Sequence, residues 1–434
     1  MASVAERLSA LEGSGIKLGL ANITSLCTAL GHPERACTTS HVAGTNGKGS
    51  VVAMVHRALR AAGLRAARFT SPHLSTIHER FVVLDDPVTA DRLESAGAGV
   101  LDTADALVAA GTLVAPPTFF EATTAIAFEL FRRSGTEVAV IEVGLGGRLD
   151  STNVIVPAVT AISSIALDHE ALLGRTRAAI AFEKAGIIKL DTPVVVGPLA
   201  PDADTVVRAV ATDAHAEVID GRRRDDRDLD PTDGHARIVP STGPLAGEAI
   251  TMGLAGAHQA DNALVAYRVL EHLASRGPFH LPAAAIRQGL TSAFWPGRLE
   301  VRPLDAGRTL ILDAAHNPEG ARALAEHLDR WYSPRPALIF AAMTDKDIRG
   351  MLTALLPAVG TVVIQAMASP RAADPALIRD LVAALDPERE VRLAPDASAA
   401  LALAWQASPT VVAAGSIVLI GEVRDTVTPR AILR

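Results

Sequence analysis

The sequence predicts an α/β protein, with a P-loop-type, doubly wound N-terminal ATPase domain followed by a smaller, Rossmann-like α/β C-terminal domain. Three observations carry this reading. Short runs of β-branched and small apolar residues alternate with stretches of helical spacing over short connections, the pattern of a parallel sheet covered by helices. A glycine-rich turn, Gly44-Thr-Asn-Gly47-Lys48-Gly49-Ser50, stands where one such strand passes into a helix. After Phe294-Trp-Pro296-Gly297-Arg298 the alternation of strand and helix restarts. That boundary divides the chain into an ATP-binding domain, residues 1–295, and a C-terminal domain, residues 296–434.

Composition narrows the class. The 434 residues are enough for two or three domains. Hydrophobic residues make up 49% and aromatic ones only 3%, so the core is built from Ala, Val, Leu and Ile. A net charge of −7 with no compensating basic block argues against a nucleic-acid partner. No apolar run reaches the roughly 18 residues that spanning a bilayer needs, and no signal-peptide core is visible at the N-terminus. Cys27 and Cys37 match no metal spacing and give no disulfide framework. The expectation is a cytoplasmic monomer acting on small molecules, with neither nucleic acid nor membrane as partner.

Taken in order, Thr38 to Val42 reads as a strand, and from Ser50 the apolar residues Val51, Val55, Leu59 and Ala62 recur at helical spacing. A loop between them points backbone N–H groups and the positive end of a helix dipole at an anion. Lys48 adds a charge for terminal phosphates, Ser50 a hydroxyl for Mg²⁺, and Gly47 and Gly49 let the backbone approach closely. The loop departs from the strict P-loop pattern, with Val42 where a glycine is expected and Gly49 between Lys48 and Ser50. A strand over 65–69 leads to Thr70-Ser71-Pro72-His73. Pro116-Pro117-Thr118-Phe119-Phe120-Glu121 introduces a helix whose Phe120, Thr124, Phe128 and Phe131 share a side. Val138 to Val143 reads as a buried parallel strand carrying Glu142 at its end. The turn Gly144-Leu-Gly146-Gly147-Arg148-Leu149-Asp150 follows. A strand over 159–165 delivers Asp168-His169, a helix over 176–187 carries Glu183-Lys184, and 193–197 is another strand. The mixed-charge run 221–230 reads as a solvated loop or hairpin, and residues 256–262 open a helix in which Asn262 is suited to capping. Beyond the boundary, strands are expected over 309–312, 337–342, 361–366 and 411–420, and no GxGxxG marks a dinucleotide site.

A carboxylate at the end of a core strand is costly without a partner. Glu142 together with Ser71 and His169 lies at successive strand ends beside a phosphate loop, where α/β sheets collect ligands. As a set these residues read as Mg²⁺–ATP ligation.

These segments together resemble the Mur ligase superfamily, and within it the folylpolyglutamate synthase/dihydrofolate synthase family. The resemblance is carried by residues 44–50, Thr70 to His73, Glu142 to Asp150, Asp168-His169, Glu183 to Ile187, Pro296 to Arg298, Asp313 to Pro318 and Asp345-Lys-Asp347, in the family's order. It implies an ATP-dependent amide ligase that phosphorylates a pteroate or folate carboxylate and then adds glutamate. It implies roles for Gly47, Lys48, Gly49, Ser50, Asn262, Arg298 and Asp313 in ATP binding. Ser50, Ser71, Glu142 and His169 would hold magnesium, two ions in all, and His316 and Ser416 would line the glutamate pocket. The pterin side falls to Lys17, Leu18, Gly19, Thr118, Phe119, Phe120, Glu121, Leu149, Asp150 and Ser151. Lys184 would be carbamylated and orient the second ion, giving Lys48, His169, Lys184 and His316 as the catalytic set. Ala21-Asn22 and Lys17 depart from the family pattern. Two rivals are weaker. A cell-wall Mur ligase would carry a UDP-binding domain ahead of the loop, where this sequence has 43 residues. A silent nucleotide-binding scaffold should have lost one of these groups, and all are present.

Overall fold

The computed structural model describes residues 2–12, 15, 17–223, 227–229 and 234–427. The chain forms two compact units: Met1–Asp228, Ile238–Met252 and Asp261–Ala293 make the first, and Leu229–Arg237, Gly253–Ala260 and Phe294–Arg434 the second.

In the first unit the strands are β1 (Thr38–Ala43), β2 (Ala66–Phe69), β3 (Phe81–Val83), β4 (Asp86–Pro87), β5 (Val138–Glu142), β6 (Val159–Ile162), β7 (Val194–Val196) and β8 (Val218–Asp220). They lie in the order β4-β3-β2-β5-β1-β6-β7-β8. From β2 to β8 neighbouring strands run parallel, whereas β3 and β4 are antiparallel additions at one edge. The apolar runs explain the centre of the sheet: every residue of β5 and β6, and all of β1 after Thr38, is buried. One face packs Leu26, Phe69, Phe81, Ile126, Phe131 and Ile141 into a core, and another cluster joins Ile162, Ile180, Val194 and Val207. The helix Lys48–Ala61 is buried on more than the expected stripe, since Val52, Ala53 and Met54 are covered along with Val51, Val55 and Leu59. The cover on one side is the helix Ala283–Thr291, where a side chain on Gly289 would overlap Ala58.

This topology places the functional segments. Val42 pairs with Glu142 across β1 and β5, Ala43 with Ile162 across β1 and β6, and Phe69 with Ile141 across β2 and β5. The C-terminal ends of these four parallel strands therefore open at one edge of the sheet, where ligands bind in open α/β folds. The strand over 159–165 stops at Ile162, and residues 163–168 form the loop that meets the glycine turn.

The second unit holds a six-stranded sheet in the order β12-β13-β17-β14-β15-β16. Its strands are β12 (Glu300–Pro303), β13 (Thr309–Leu312), β14 (Ala337–Phe340), β15 (Val362–Gln365), β16 (Val391–Ala394) and β17 (Thr410–Ala414). All are parallel except the β12–β13 pair. A three-stranded sheet, in the order β11-β10-β9, is formed by β9 (Arg227–Leu229), β10 (His235–Val239) and β11 (Ile250–Ala255).

One element departs from the sequence reading. The apolar run 411–420 is not a single strand: β17 ends at Ala414 and a helix, Ile417–Val427, begins three residues later. Gly415 takes φ +111°, which turns the chain between the two periods, and a side chain there would strike Ala341 O. Asn262 also differs, since the helix Gln259–Arg276 begins before it and leaves it inside the first turn rather than at the cap. Part of one reading, the charged run at 224–226 and 230, lies outside the described residues.

Candidate active site

The glycine turn is held from both flanks. Thr45 N donates to Ser164 O at 2.8 Å, and the Thr45 hydroxyl exchanges hydrogen bonds with the backbone of Ala166. Ser163 and Ser164 both donate to Asn46 O, at 2.6 and 3.0 Å. Glycine is required twice here. A side chain on Gly44 would overlap the Ser163 hydroxyl, and one on Gly47, at φ +84°, would meet Asn262 Oδ1 at 2.1 Å. Asn262 thus lies against the glycine turn from its own unit. Gly47, as the residue before the first helical turn, provides no side-chain cap for the helix that follows, whose positive end faces the glycine turn.

Two lysines converge on one carbonyl. Lys48 Nζ donates to Gly44 O at 3.0 Å and to Thr45 O at 3.2 Å, and Lys184 Nζ donates to the same Gly44 O at 2.9 Å. Lys184 is 5% exposed. Burial, with the nearby Lys48 charge, lowers its pKa to about 7, although Asp168 and Asp150 pull the other way. A surface lysine would not behave so; the helix Arg177–Ala185 carries it inward, as its apolar neighbours suggested.

The two glycine-containing motifs of this unit fit each other. A side chain on Gly147 would come within 2.8 Å of Lys184 O and 2.9 Å of Glu183 O, and one on Gly186 would strike Arg148. Arg148 N donates to Glu183 O, and its guanidinium pairs with the Glu183 carboxylate at 2.8 Å. Asn153 Nδ2 bridges Arg148 O and Gly186 O, each at 3.0 Å. The turn 144–150 is thereby locked to the helix end that carries Lys184.

Glu142 accepts from Ser71 N at 3.1 Å, which joins the ends of β2 and β5. Its charge acts on the guanidinium groups of half-buried Arg68 and buried Arg80, whose pKa values desolvation lowers to about 10. Ser50 Oγ is buried and has no hydrogen-bond partner. His169, in a left-handed conformation (φ 50°), is half-buried, with Nε2 3.9 Å from Asp168 Oδ1. Among the described residues no group of three or more His, Cys, Asp or Glu side chains converges as a metal cluster. The oxygen donors at this edge are Glu142 and the hydroxyls of Ser50 and Ser71.

The residues assigned to the pterin side serve several local purposes. Thr118 and Glu121 form a reciprocal capping box for the helix Phe119–Arg133, with bonds of 2.7 and 3.2 Å. Phe119 lies under the Arg80 guanidinium at 5.1 Å, and Phe120 packs on Phe69 and against Gly144. Asp150 and Ser151 are buried, Leu149 is half-buried, Lys17 and Leu18 are exposed and Gly19 is half-buried.

In the second unit Asp313 accepts from Leu299 N at 2.8 Å and Ala315 N at 2.9 Å. It thus ties the turn containing Arg298 to the end of β13. Burial raises its pKa while Arg298 opposes the shift. His316 Nδ1 is 2.8 Å from Ala314 O, and the buried Ser416 hydroxyl accepts from Val418 N at 3.2 Å in the helix that follows.

Sequence reading passed over Asp168, Ser163, Ser164, Thr152 and His41 as site residues. Hydroxyl pairs directly after an apolar strand are the signal that could have found Ser163 and Ser164.

The chain combines a doubly wound unit, whose basic glycine turn opens at the sheet edge, with a second parallel α/β unit, and the families it matches give the class: ATP-dependent, amide-forming ligases. Residues 42–270 match the Mur ligase middle domain and residues 297–420 the Mur ligase glutamate ligase domain. The chain is 37% identical over 347 residues to the dihydrofolate synthase/folylpolyglutamate synthase of Bacillus subtilis, covering 79% of each chain. The Mycobacterium tuberculosis folylpolyglutamate synthase complexed with ADP and AMPPCP superposes with a TM-score of 0.87 at 32% identity, over 98% of both chains. Escherichia coli FolC in complex with DHPP and ADP gives 0.85 at 28% identity, again over 98% of both. The chain belongs to the Mur ligase family and, within it, to the folylpolyglutamate synthase/dihydrofolate synthase enzymes.

Proposed function

We propose that this enzyme adds L-glutamate to folates and to dihydropteroate through an acyl phosphate. The carrying observation is the glycine turn at the sheet edge, with Lys48 and Lys184 gathered on Gly44 O beside the unpartnered Ser50 hydroxyl. A carboxylate is a poor electrophile, so amide formation needs a phosphate leaving group, and phosphoryl transfer needs positioning and charge neutralisation rather than a protein nucleophile.

In this reading Gly47, Lys48, Gly49 and Ser50 cradle the phosphates, and Lys48 leaves its loop carbonyls to meet them. Asn262 fixes the loop from behind, and Arg298 and Asp313 contribute to ATP binding. The substrate carboxylate attacks the γ-phosphorus and ADP leaves. The amine of glutamate, held by His316 and Ser416, then adds to the acyl carbon, and the tetrahedral adduct expels phosphate. Leu149, Asp150 and Ser151, with Thr118 to Glu121 and Lys17 to Gly19, hold the pterin side. The division of labour follows domains of residues 1–295 and 296–434.

Mg²⁺ fits the donor set, because Ser50 Oγ is buried without a partner and Ser71 and Glu142 meet at neighbouring strand ends. When bound it neutralises phosphate oxygens, with His169 as a further ligand. Lys184 has the property that carbamylation requires: an amine whose pKa is lowered to about 7 is largely neutral just above neutrality and can add CO₂. The test is glutamate-dependent ADP release, assayed separately with dihydropteroate and tetrahydrofolate. Release with neither overturns the reading; release with one alone assigns the substrate.

A further inference from the structure

Behind the glycine turn, a buried chain of polar groups runs from His41 on β1 to Asp150, and the mechanism above gives no role to its first two members, His41 and Thr152. His41 is wholly buried, and its Nε2 is 2.8 Å from Thr152 Oγ1. Thr152, also wholly buried, donates its hydroxyl to Asp150 Oδ1 and its backbone N–H to the same oxygen at 3.0 Å. The other Asp150 oxygen accepts Leu145 N at 2.8 Å. One carboxylate therefore ties the start of the turn to its end.

Proton counting sets the direction of this chain. Thr152 has a single hydroxyl proton and gives it to Asp150, so its oxygen must accept from His41, which places the histidine proton on Nε2. His41 Nδ1 has no partner and is buried. Burial and the Lys189 charge lower the histidine pKa to about 3, so the ring is neutral and has one proton to give. Asp150 in turn is pushed toward protonation by burial, and the bonds from Thr152, Leu145 and Gly144 oppose that push. A protonated Asp150 would lose acceptor capacity where two backbone N–H groups and a hydroxyl need it.

We propose that His41 is a positioning residue for the ligase reaction: through the Thr152 hydroxyl it keeps Asp150 as the acceptor that clamps the turn 144–150 in the shape the pterin-side substrate and Lys184 require. The inference rests on the ligase reading only for its kinetic part. The clamped turn abuts the carbonyls of Glu183 and Lys184 through Gly147, so slack in the turn passes to that helix end.

The experiment uses the full-length enzyme and four substitutions. His41→Gln retains a side-chain N–H and Thr152→Ser a hydroxyl, whereas His41→Met and Thr152→Val remove the donor at nearly constant volume. His41→Met and Thr152→Val are each expected to lower kcat/KM for the folate substrate roughly tenfold: the first orphans the Thr152 hydroxyl oxygen, and the second takes a donor from Asp150 and leaves the His41 Nε2–H unpaired. KM for ATP should stay within about twofold, and the double variant should be no worse than either single one. His41→Gln and Thr152→Ser should stay close to wild type. In parallel, nitrogen-15 NMR of labelled histidine should show a neutral Nε2–H tautomer for His41. A proton on Nδ1, wild-type kinetics in Thr152→Val, or equal damage in His41→Gln and His41→Met overturns the proposal. If the wild type shows no glutamate-dependent turnover, the ligase reading fails while the NMR result still decides the direction of the chain.

Discussion

At the scale of single residues, the site turns on two lysines with different surroundings. Lys48 is half-buried on two loop carbonyls that a bound phosphate would replace, and its removal takes away the one side-chain charge on the turn itself. Lys48→Ala should lower ADP formation at least roughly a hundredfold, the scale on which losing a preorganised charge acts, with an unchanged circular dichroism spectrum. Wild-type turnover in this variant would dismiss the loop as the nucleotide site. Lys184 makes a second, pH-dependent statement. Its folded pKa, about 7, lies below the reference value of 10.5, so between these values the unfolded chain binds more protons than the native one. Stability should therefore rise as pH increases from about 7 toward 10.5 in the unmodified protein, and Lys184→Met should remove that part of the rise. Chemical denaturation at a series of pH values checks it; a flat difference between the two proteins would show that Lys184 is not shifted.

At the scale of elements, motif specificity is a matter of steric fit. Gly147 and Gly186 are small because the turn 144–150 and the end of the helix Arg177–Ala185 share the same space. Gly147→Ala would press a methyl group into two backbone carbonyls, which cannot swing aside as a side chain can. We expect a loss of about 1–3 kcal/mol, as for overpacking, together with a larger fall in kcat than in ATP affinity. Thermal unfolding and steady-state kinetics measure the two effects. Unchanged stability would mean that the turn and the helix are not in register. Legibility followed the same lines. The turn at Gly44 to Gly47 between strand and helix was readable because its glycine spacing is local. The strand over 411–420 was misread because apolar residues resume straight after Gly415-Ser416, where the positive φ of Gly415 turns the chain from strand to helix. The reciprocal box of Thr118 and Glu121 was also present in the sequence as Thr-x-x-Glu, although its residues were first assigned to substrate.

At the scale of the whole molecule, the family assignment makes activity depend on ATP, a folate-type substrate and glutamate, and the proposed Mg²⁺ requirement is open to direct test. Chelation with EDTA should abolish glutamate-dependent ADP release and added Mg²⁺ should restore it, while Tm in the absence of nucleotide should barely move, because Glu142 and Ser71 sit at strand ends and Ser50 in a helix that the core already fixes. Turnover that persists after chelation would remove Ser50, Ser71 and Glu142 from the metal set. No helix among the described residues is long and apolar enough to cross a membrane.

By itself the sequence determined the fold class, the place of the glycine turn between strand and helix, and the family, because these depend on residues close together in the chain or on motifs kept in order. Tertiary structure alone decided which distant groups share a space. Lys184 stands 140 positions from Gly44 and donates to its carbonyl; His41 meets Thr152 across 111 positions; Asn262 closes on Gly47 from a helix that the sequence could place but not aim. Such contacts follow from strand order, and strand order follows from how two faces of apolar side chains pack over a twisted sheet. No local pattern encodes that packing. It emerges only when the whole core is assembled.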